Sequence, residues 1–287
     1  MVGIVIVHYT GREDTLECLA SVFASADATD SRVYLVDQGV GDRTPDAVRD
    51  HFPSVNVIEN GTNLGYAGGA NVGIRAALTE GAEHVLLLNN DVTLAPEMLD
   101  WLLNASKSAP DVGILGPVLL VADGTDRVWA AGGRIDWRGQ ASRLEQEQSE
   151  PDYLIGCGML VRRDVFERIG MFDERFFLYY EEADLCARAK AAGFSLRCVP
   201  QALLWHKVSH ATGTDSPLTL YYMRRNMLLY LAKRRQWLGW LVAVSDTLRL
   251  AMVWNLQQKK NHTHRKALHS ALCDALRARW GKAENRW

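Results

Sequence analysis

The sequence predicts an α/β fold, a mostly parallel central sheet flanked by helices, with a helical C-terminal extension. Three observations lead there. Short apolar runs rich in β-branched residues alternate with stretches of helical spacing through the first hundred residues. The connections between them are short, as in parallel sheets covered on both faces. From Pro217 onward the pattern is helical only.

The elements follow in order. "GIVIVHYT" reads as a strand buried on both faces. Leu16, Leu19, Val22 and Phe23 recur at helical spacing behind it. "RVYLVDQG" is a second buried strand, "DAVRDHF" a short helix and "VNVIEN" a third strand. "NLGYAGGANVGIRAAL" starts rich in glycine and turns helical, and "HVLLLNND" is a fourth strand. "APEMLDWLLNAS" is a helix with Pro96 in its first turn, where proline is tolerated. "VGILGPVLLV" reads as a strand. Residues 128–154 form a long polar, glycine-punctuated or hairpin region of the kind that serves as a lid. "IGCGMLVRRDVFERIGMF" gives strand then helix, and "EEADLCARAKAAGF" an amphipathic helix stopped by Gly193. "SLRCVP" and "ALLWHK" are two short strands.

Composition bounds the answer. Of 287 residues, 48% are hydrophobic and 23% charged, enough apolar mass for a true core. The formal net charge of -2 gives no overall sign of nucleic-acid binding. Lys, Arg and His crowd the chain from Tyr221 on, which suits an anionic partner: phosphates, nucleic acid or a lipid surface. Five scattered cysteines without a CxxC pair exclude a zinc frame and a disulfide scaffold, and free thiols point to a reducing cytoplasm. The N-terminal run lacks the basic flank and cleavage site of a signal peptide. No apolar run reaches the ~18 residues of a spanning helix.

Ligands of parallel α/β sheets bind at the carboxyl ends of the strands. That rule places His8-Tyr9-Thr10, Asp37, Asn63 and Asn89-Asn90-Asp91 along one crevice. Asn89-Asn90-Asp91 reads either as a capped turn or as a hard-cation site with Asp91 as carboxylate ligand and Asn89 offering an amide oxygen. The stretch Asn63 to Ile74 is neither a Walker loop nor a dinucleotide fingerprint. Its glycines allow close backbone approach and open a helix N-terminus to an anion, or they serve tight packing. Glu181, Glu182 and Asp184 cluster at a helix start, where the dipole favours acids. They also follow Phe176, Phe177, Tyr179 and Tyr180, and a carboxylate against such a wall gains a raised pKa and can act as general base. His206 and His210 are structural, or ligands beside Asp91. Arg224, Arg225 and Asn226 read as phosphate contacts or as a solvated helix face.

Taken in order, "IVIVHYT", "LVDQG", "NLGYAGGANVGI", "LLLNNDV", "YYEEADLCAR", "WHKVSHATG" and "YYMRRNMLLY" resemble family 2 glycosyltransferases of the GT-A fold, especially bacterial rhamnosyltransferase-type members, over nearly the whole chain. The resemblance implies an inverting transfer from a nucleotide-diphosphate sugar to an acceptor hydroxyl, with dTDP-rhamnose favoured and UDP- or GDP-sugars as alternatives. It implies that His8, Tyr9, Thr10 and Asp37 hold the nucleoside, with Asp37 near the base. Asn63, Gly65, Tyr66, Gly68, Gly69, Asn71, Asn89, Asn90 and Arg224 would line the rest of the nucleotide pocket. Asn89-Asn90-Asp91 stands where the family has its DxD motif, with Asn89 replacing the first aspartate. Asp91, Asn89 and His206 would then hold Mg2+ or Mn2+. Glu181-Glu182 stands at the family's ED-type motif, which points to Glu182 as catalytic base with Glu181 as rival.

The implied organisation is a catalytic domain over 1–215, with a nucleotide half to about residue 120 and an acceptor half beyond it, then a helical extension over 216–287. Its partners would be a nucleotide-sugar donor and a glycan, glycolipid or small-molecule acceptor in polysaccharide or glycoconjugate synthesis, with no nucleic acid. Tryptophans beside the basic segment after Gln236 suit a membrane interface, or helices packing on the catalytic domain or on a second subunit. The expected location is cytoplasmic, peripheral on the inner face of the plasma membrane if that contact forms. Two rivals stand beside this reading, a sugar-nucleotide nucleotidyltransferase and a non-catalytic sugar-binding module. The first lacks its basic glycine-rich signature here, and the second does not need the acid cluster.

Overall fold

The structure, a computed structural model, describes residues 1–26, 30–39, 41–146, 150–207, 216–257 and 262–283. In chain order the first elements are β1 (Val2–His8), α1 (Arg12–Ala26), β2 (Ser31–Asp37), α2 (Thr44–His51), β3 (Asn56–Glu59), α3 (Gly65–Thr79), β4 (His84–Asn89), β5 (Val92–Leu94) and α4 (Met98–Ser108). There follow β6 (Val112–Val121), β7 (Val128–Ala130), β8 (Gly133–Ile135), β9 (Ala141–Arg143), β10 (Gly158–Arg162), α5 (Arg163–Ile169), α6 (Glu181–Ala191) and β11 (Ser195–His206). Three helices close the chain: α7 (Pro217–Lys233), α8 (Trp237–Gln257) and α9 (His262–Leu276).

The main sheet has the order β3-β2-β1-β4-β10-β6-β11-β5, with β7 added beside β6, while β8 and β9 form a separate hairpin. β1, β2, β3 and β4 are parallel, and β6 and β11 are parallel to each other, so most paired residues lie in parallel ladders. β10 enters antiparallel between β4 and β6. Register then decides which residues meet. His8 stands opposite Asp37, Val7 opposite Asn89, and Leu88 opposite Gly158. After β4 the chain turns at Asn90-Asp91 and lays β5 antiparallel on β11, with Val92 opposite His206. A short strand that the sequence did not signal therefore carries Asp91 to the end of β11.

Alternation along buried strands feeds two cores. Val5, Val7 and Leu87 face one side with Ile74, Phe166, Leu185 and Leu228. Ile4, Ile6, Leu86 and Leu88 face the other with Leu19, Met98 and Leu102. The two short strands expected near residue 200 are one strand, β11, with an irregularity between Val199 and Leu203. It falls opposite Pro117, whose missing N–H confines proline to such breaks in a sheet. Pro96 lies ahead of α4 rather than in its first turn, since Glu97 caps that helix. The C-terminal helices share the first core: Met227 to Leu231 of α7, Ala243 of α8, and Leu272 and Ala275 of α9 are buried in it. Each large apolar side chain so placed contributes roughly 2 kcal/mol.

Candidate active site

The parallel strands end at one crevice, and β10 begins there. A cavity of about 460 Å³ opens between them, lined among others by Tyr66, Asn89, Asp91, Cys157, Glu181, Glu182 and His206. Asp91 and His206 form its first corner. His206 is buried, its Nε2 lies 3.3 Å from Asp91 Oδ1, and its ring stands edge-on to Trp129 at 4.7 Å. Asp91 Oδ1 and His206 Nδ1 are buried with no hydrogen-bond partner. Burial pushes the Asp91 carboxyl up, but His206, the backbone and Asn89 together outweigh it, so the group lies below its ordinary value and is ionised. Among the described residues no three His, Cys, Asp or Glu side chains form a ready metal cage. The donor set fits a small divalent cation all the same. One unpartnered carboxylate oxygen, one imidazole and the Asn89 amide leave the other positions to phosphate oxygens and water, as Mg2+ sites commonly do.

Glu181 and Glu182 line the same cavity. Glu181 is buried and Glu182 half-buried, and each has one oxygen, Oε2, buried without a hydrogen bond. Burial raises both carboxyls, and the neighbouring charge of Glu182 adds to the rise at Glu181. The charge of Glu182 also bears on Tyr66, Tyr153, Cys157 and Tyr180, which line the same cavity. Cys157, at the entry to β10, feels Asp91 and Glu182 together. Asp184, third of the acid cluster, turns away. It is fully buried and ion-paired to Arg188 at 2.8 Å and Lys233 at 2.7 Å.

The loop that presents the glutamates is strained. Phe177, Tyr179 and Tyr180 have φ of 64°, 69° and 73°, a region costing roughly 1–3 kcal/mol for such side chains. Helix α7 holds it in place. Asn226 Nδ2 donates to the carbonyls of Phe176, Leu178 and Tyr179 at 2.8, 2.7 and 2.8 Å. Arg225 donates to the carbonyls of Arg175, Phe176 and Gly281. Arg225 and Asn226 are thus neither phosphate contacts nor a solvated face: they are 1% and 0% exposed and bracket the loop. Arg224, partly buried, sits near enough to Tyr180 for its charge to lower that hydroxyl's pKa against burial. Asn226→Ala is expected to cost about 2–3 kcal/mol, because the carbonyls of Leu178 and Tyr179 lose this donor while that of Phe176 keeps Arg225. Thermal unfolding reads it, and an unchanged midpoint contradicts the clamp.

The other predicted residues divide by environment. His8 is buried, with Nδ1 2.9 Å from Thr15 Oγ1 and Nε2 3.1 Å from Asp42. Asn90 Nδ2 donates to the carbonyl of Thr10 at 2.7 Å and to Thr15 at 2.9 Å, tying the β4–β5 turn to the loop after β1. Tyr9 is exposed beside it. Asp37 accepts from Gly39 N–H at 3.0 Å and keeps a buried, unpartnered Oδ1. Asn63 accepts from Gly65 N–H at 2.7 Å. Tyr66 lines the cavity and donates to the Gly156 carbonyl at 2.7 Å. The neighbouring glycines make room. A Cβ at Gly65 would stand 2.3 Å from the Phe177 carbonyl, at Gly68 2.8 Å from Leu64 Cβ, and at Gly69 2.0 Å from Gln38 Nε2. Asn71 is buried and exchanges hydrogen bonds with the backbone of Phe172. His210 lies outside the described residues.

The family model described as Glycosyl transferase family 2 matches residues 3–170, more than half of the chain. The chain is a family 2 glycosyltransferase. A Mycobacterium tuberculosis N-acetylglucosaminyl-diphospho-decaprenol L-rhamnosyltransferase is 32% identical to it, covering 83% of this chain and 85% of that one. A dTDP-rhamnosyl transferase of Shigella flexneri is 26% identical, covering 70% and 71%. The structure of a Pyrobaculum calidifontis mannosyltransferase in complex with GDP-Man and Mn2+ is similar with a TM-score of 0.60 and 17% identity, over 96% of this chain and 86% of that one. The fold is GT-A, and this glycosyltransferase is rhamnosyltransferase-like. Sequence reasoning missed several cavity residues of the transferase: Trp129, Arg143, Tyr153 and Cys157. Trp129 and Arg143 lie in the region read only as a lid. Cys157 is brought in by the antiparallel entry of β10, which no local pattern signals.

Proposed function

We propose that this glycosyltransferase moves a sugar from a nucleotide-diphosphate donor, with dTDP-rhamnose favoured over UDP- and GDP-sugars, to an acceptor hydroxyl with inversion. One observation carries the reading: the Asp91–His206 corner and the Glu181–Glu182 wall line the same cavity at the carboxyl end of the parallel strands. His8, Asp37 and the loop after β1 would receive the nucleoside. Asp91, His206 and Asn89 would hold Mg2+ or Mn2+, which when bound supplies neutralisation of the charge growing on the leaving diphosphate. Glu182 takes the proton of the acceptor hydroxyl as that oxygen attacks. With the diphosphate held at Asp91 and His206, Glu182 in the same cavity would activate a hydroxyl for attack from the far face of the sugar, hence inversion. Tyr66, Tyr153, Tyr179 and Tyr180 narrow the cavity around the reacting centre and limit water. The nucleotide half would then extend to about residue 120, the acceptor half to 215, and the helical extension over 216–287 would brace the loop that carries the base. The decisive experiment is a donor screen that measures released nucleotide diphosphate with and without Mn2+. Release from no sugar nucleotide, with any acceptor glycolipid, overturns the proposal.

The acceptor reading is a lipid-linked glycan met at a membrane surface. The similar mycobacterial enzyme is named for a decaprenol-linked acceptor. Here Leu238, Leu241, Leu248 and Met252 recur at intervals of three, seven and four residues along α8 beside Trp237, and each is more than half exposed. From Tyr221 to the end the chain carries fourteen Lys and Arg against three Asp and Glu. An apolar helix face flanked by cations fits an anionic lipid interface. None of the described helices is long and apolar enough to cross a membrane. The variant L238E/L241E/L248E is expected to lose co-sedimentation with phosphatidylglycerol vesicles and to keep the wild-type fold. Equal pelleting, or loss of a dimer in its place, assigns the face to a second copy.

A further inference from the structure

The cavity that would receive these substrates is poor in positive charge. Three carboxylates, Asp91, Glu181 and Glu182, line it. Among the described residues Arg143 is the one Lys or Arg in its lining. Arg143 ends β9, the outer strand of the β8–β9 hairpin, and its guanidinium lies 4.5 Å above the Trp129 ring. Trp129 in turn stands edge-on to His206, which is 3.3 Å from Asp91. The Arg143 side chain makes no ion pair or hydrogen bond with any described residue. An arginine stacked on an indole keeps its planar fork oriented with its donors free, the form suited to two phosphate oxygens.

We propose that Arg143, aligned by Trp129, binds a diphosphate group at the mouth of the transfer cavity. The assignment rests on the reading of this cavity as a sugar-transfer site and adds a residue to it. Two diphosphates meet there under that reading, the one in the donor and the one linking the acceptor sugar to its lipid. Both present the same chemistry to a guanidinium. Arg143 is a surface residue of a hairpin, so its replacement leaves the fold intact, and an unchanged thermal midpoint serves as control.

The test is by binding and is independent of turnover. Titration calorimetry with Mn2+ present compares wild type, Arg143→Ala and Arg143→Lys. The donor arm uses dTDP against dTMP; the acceptor arm uses farnesyl diphosphate against farnesol. Arg143→Ala is expected to weaken binding of one diphosphate about tenfold or more, and to leave its comparison ligand unchanged. Arg143→Lys recovers only part, since an ammonium keeps the charge and loses the fork. A loss confined to dTDP assigns the donor, and a loss confined to farnesyl diphosphate assigns the acceptor. Unaltered affinity for both diphosphates overturns the assignment. Failure of the underlying transferase reading shows separately, as wild-type protein that releases no nucleotide diphosphate in the donor screen.

Discussion

Asp91→Ala is expected to reduce sugar transfer by about a thousandfold, the size seen when a group stabilising developing charge is removed. That corresponds to about 4 kcal/mol of lost transition-state stabilisation. The reason lies in what Asp91 lacks. Its Oδ1 is buried without a hydrogen bond, and the His206 imidazole lies 3.3 Å away. A fold has no use for an ionised oxygen held that way, so removing it leaves the melting temperature equal or higher, the usual trade of stability against function. Two measurements check this together. Nucleotide diphosphate release falls in the variant, and the added stabilisation that Mn2+ confers on the dTDP complex is lost while the apo midpoint stays. A variant with wild-type turnover removes Asp91 from the chemistry.

The second large effect concerns Glu182. Glu182→Gln is expected to lower turnover by about a hundred- to ten-thousandfold, the contribution of a positioned general base. Glu181→Gln is expected to do less, because Glu181 is the more buried and more strongly raised of the two and stays protonated where Glu182 ionises. The pH profile carries an independent sign. Burial raises the Glu182 carboxyl to about 7. A base works only when ionised, so below that value the group is protonated and inactive. Turnover therefore climbs as pH rises through about 7 and levels off above it. The two glutamates are close enough to titrate as a pair, and the midpoint belongs to the pair. The charge of Glu182 helps hold Glu181 protonated through this range, so Glu181→Gln removes no negative charge and should leave the limb in place if Glu182 is the base. An Asp91 carboxyl, already ionised well below that range, adds no limb there. A flat profile from pH 5 to 9, with chemistry rate-limiting, rules out a raised carboxylate as base.

Much of this was legible in the linear chain. The apolar run before Asn89 predicted β4, and the rule that ligands gather at strand ends pointed to Asp91 before any geometry was available. The aromatic run before Glu181 marked the second wall in the same way. Other readings went astray for a common reason. Arg224, Arg225 and Asn226 are adjacent polar residues on one helix, and helical spacing alone does not tell which of them turns inward. Arg225 and Asn226 are buried because the strained loop at Phe177 to Tyr180 needs donors from its neighbour. The glycines after Asn63 read either as an anion site or as tight packing, and at Gly65 and Gly69 Phe177 and Gln38 do come too close for a Cβ.

By itself, the sequence determined most of the elements, the family and the candidate acids, because periods of two and 3.6 residues and the chemistry of strand ends are local properties. Tertiary structure alone decided that β10 enters antiparallel beside β4, that β5 carries Asp91 to His206, that Asp184 leaves its two neighbours for Lys233, and that a hairpin brings Arg143 over Trp129. Those are pairings between residues far apart in the chain. They are set by which register and which face bury the most apolar surface, and no window of neighbouring residues holds that information.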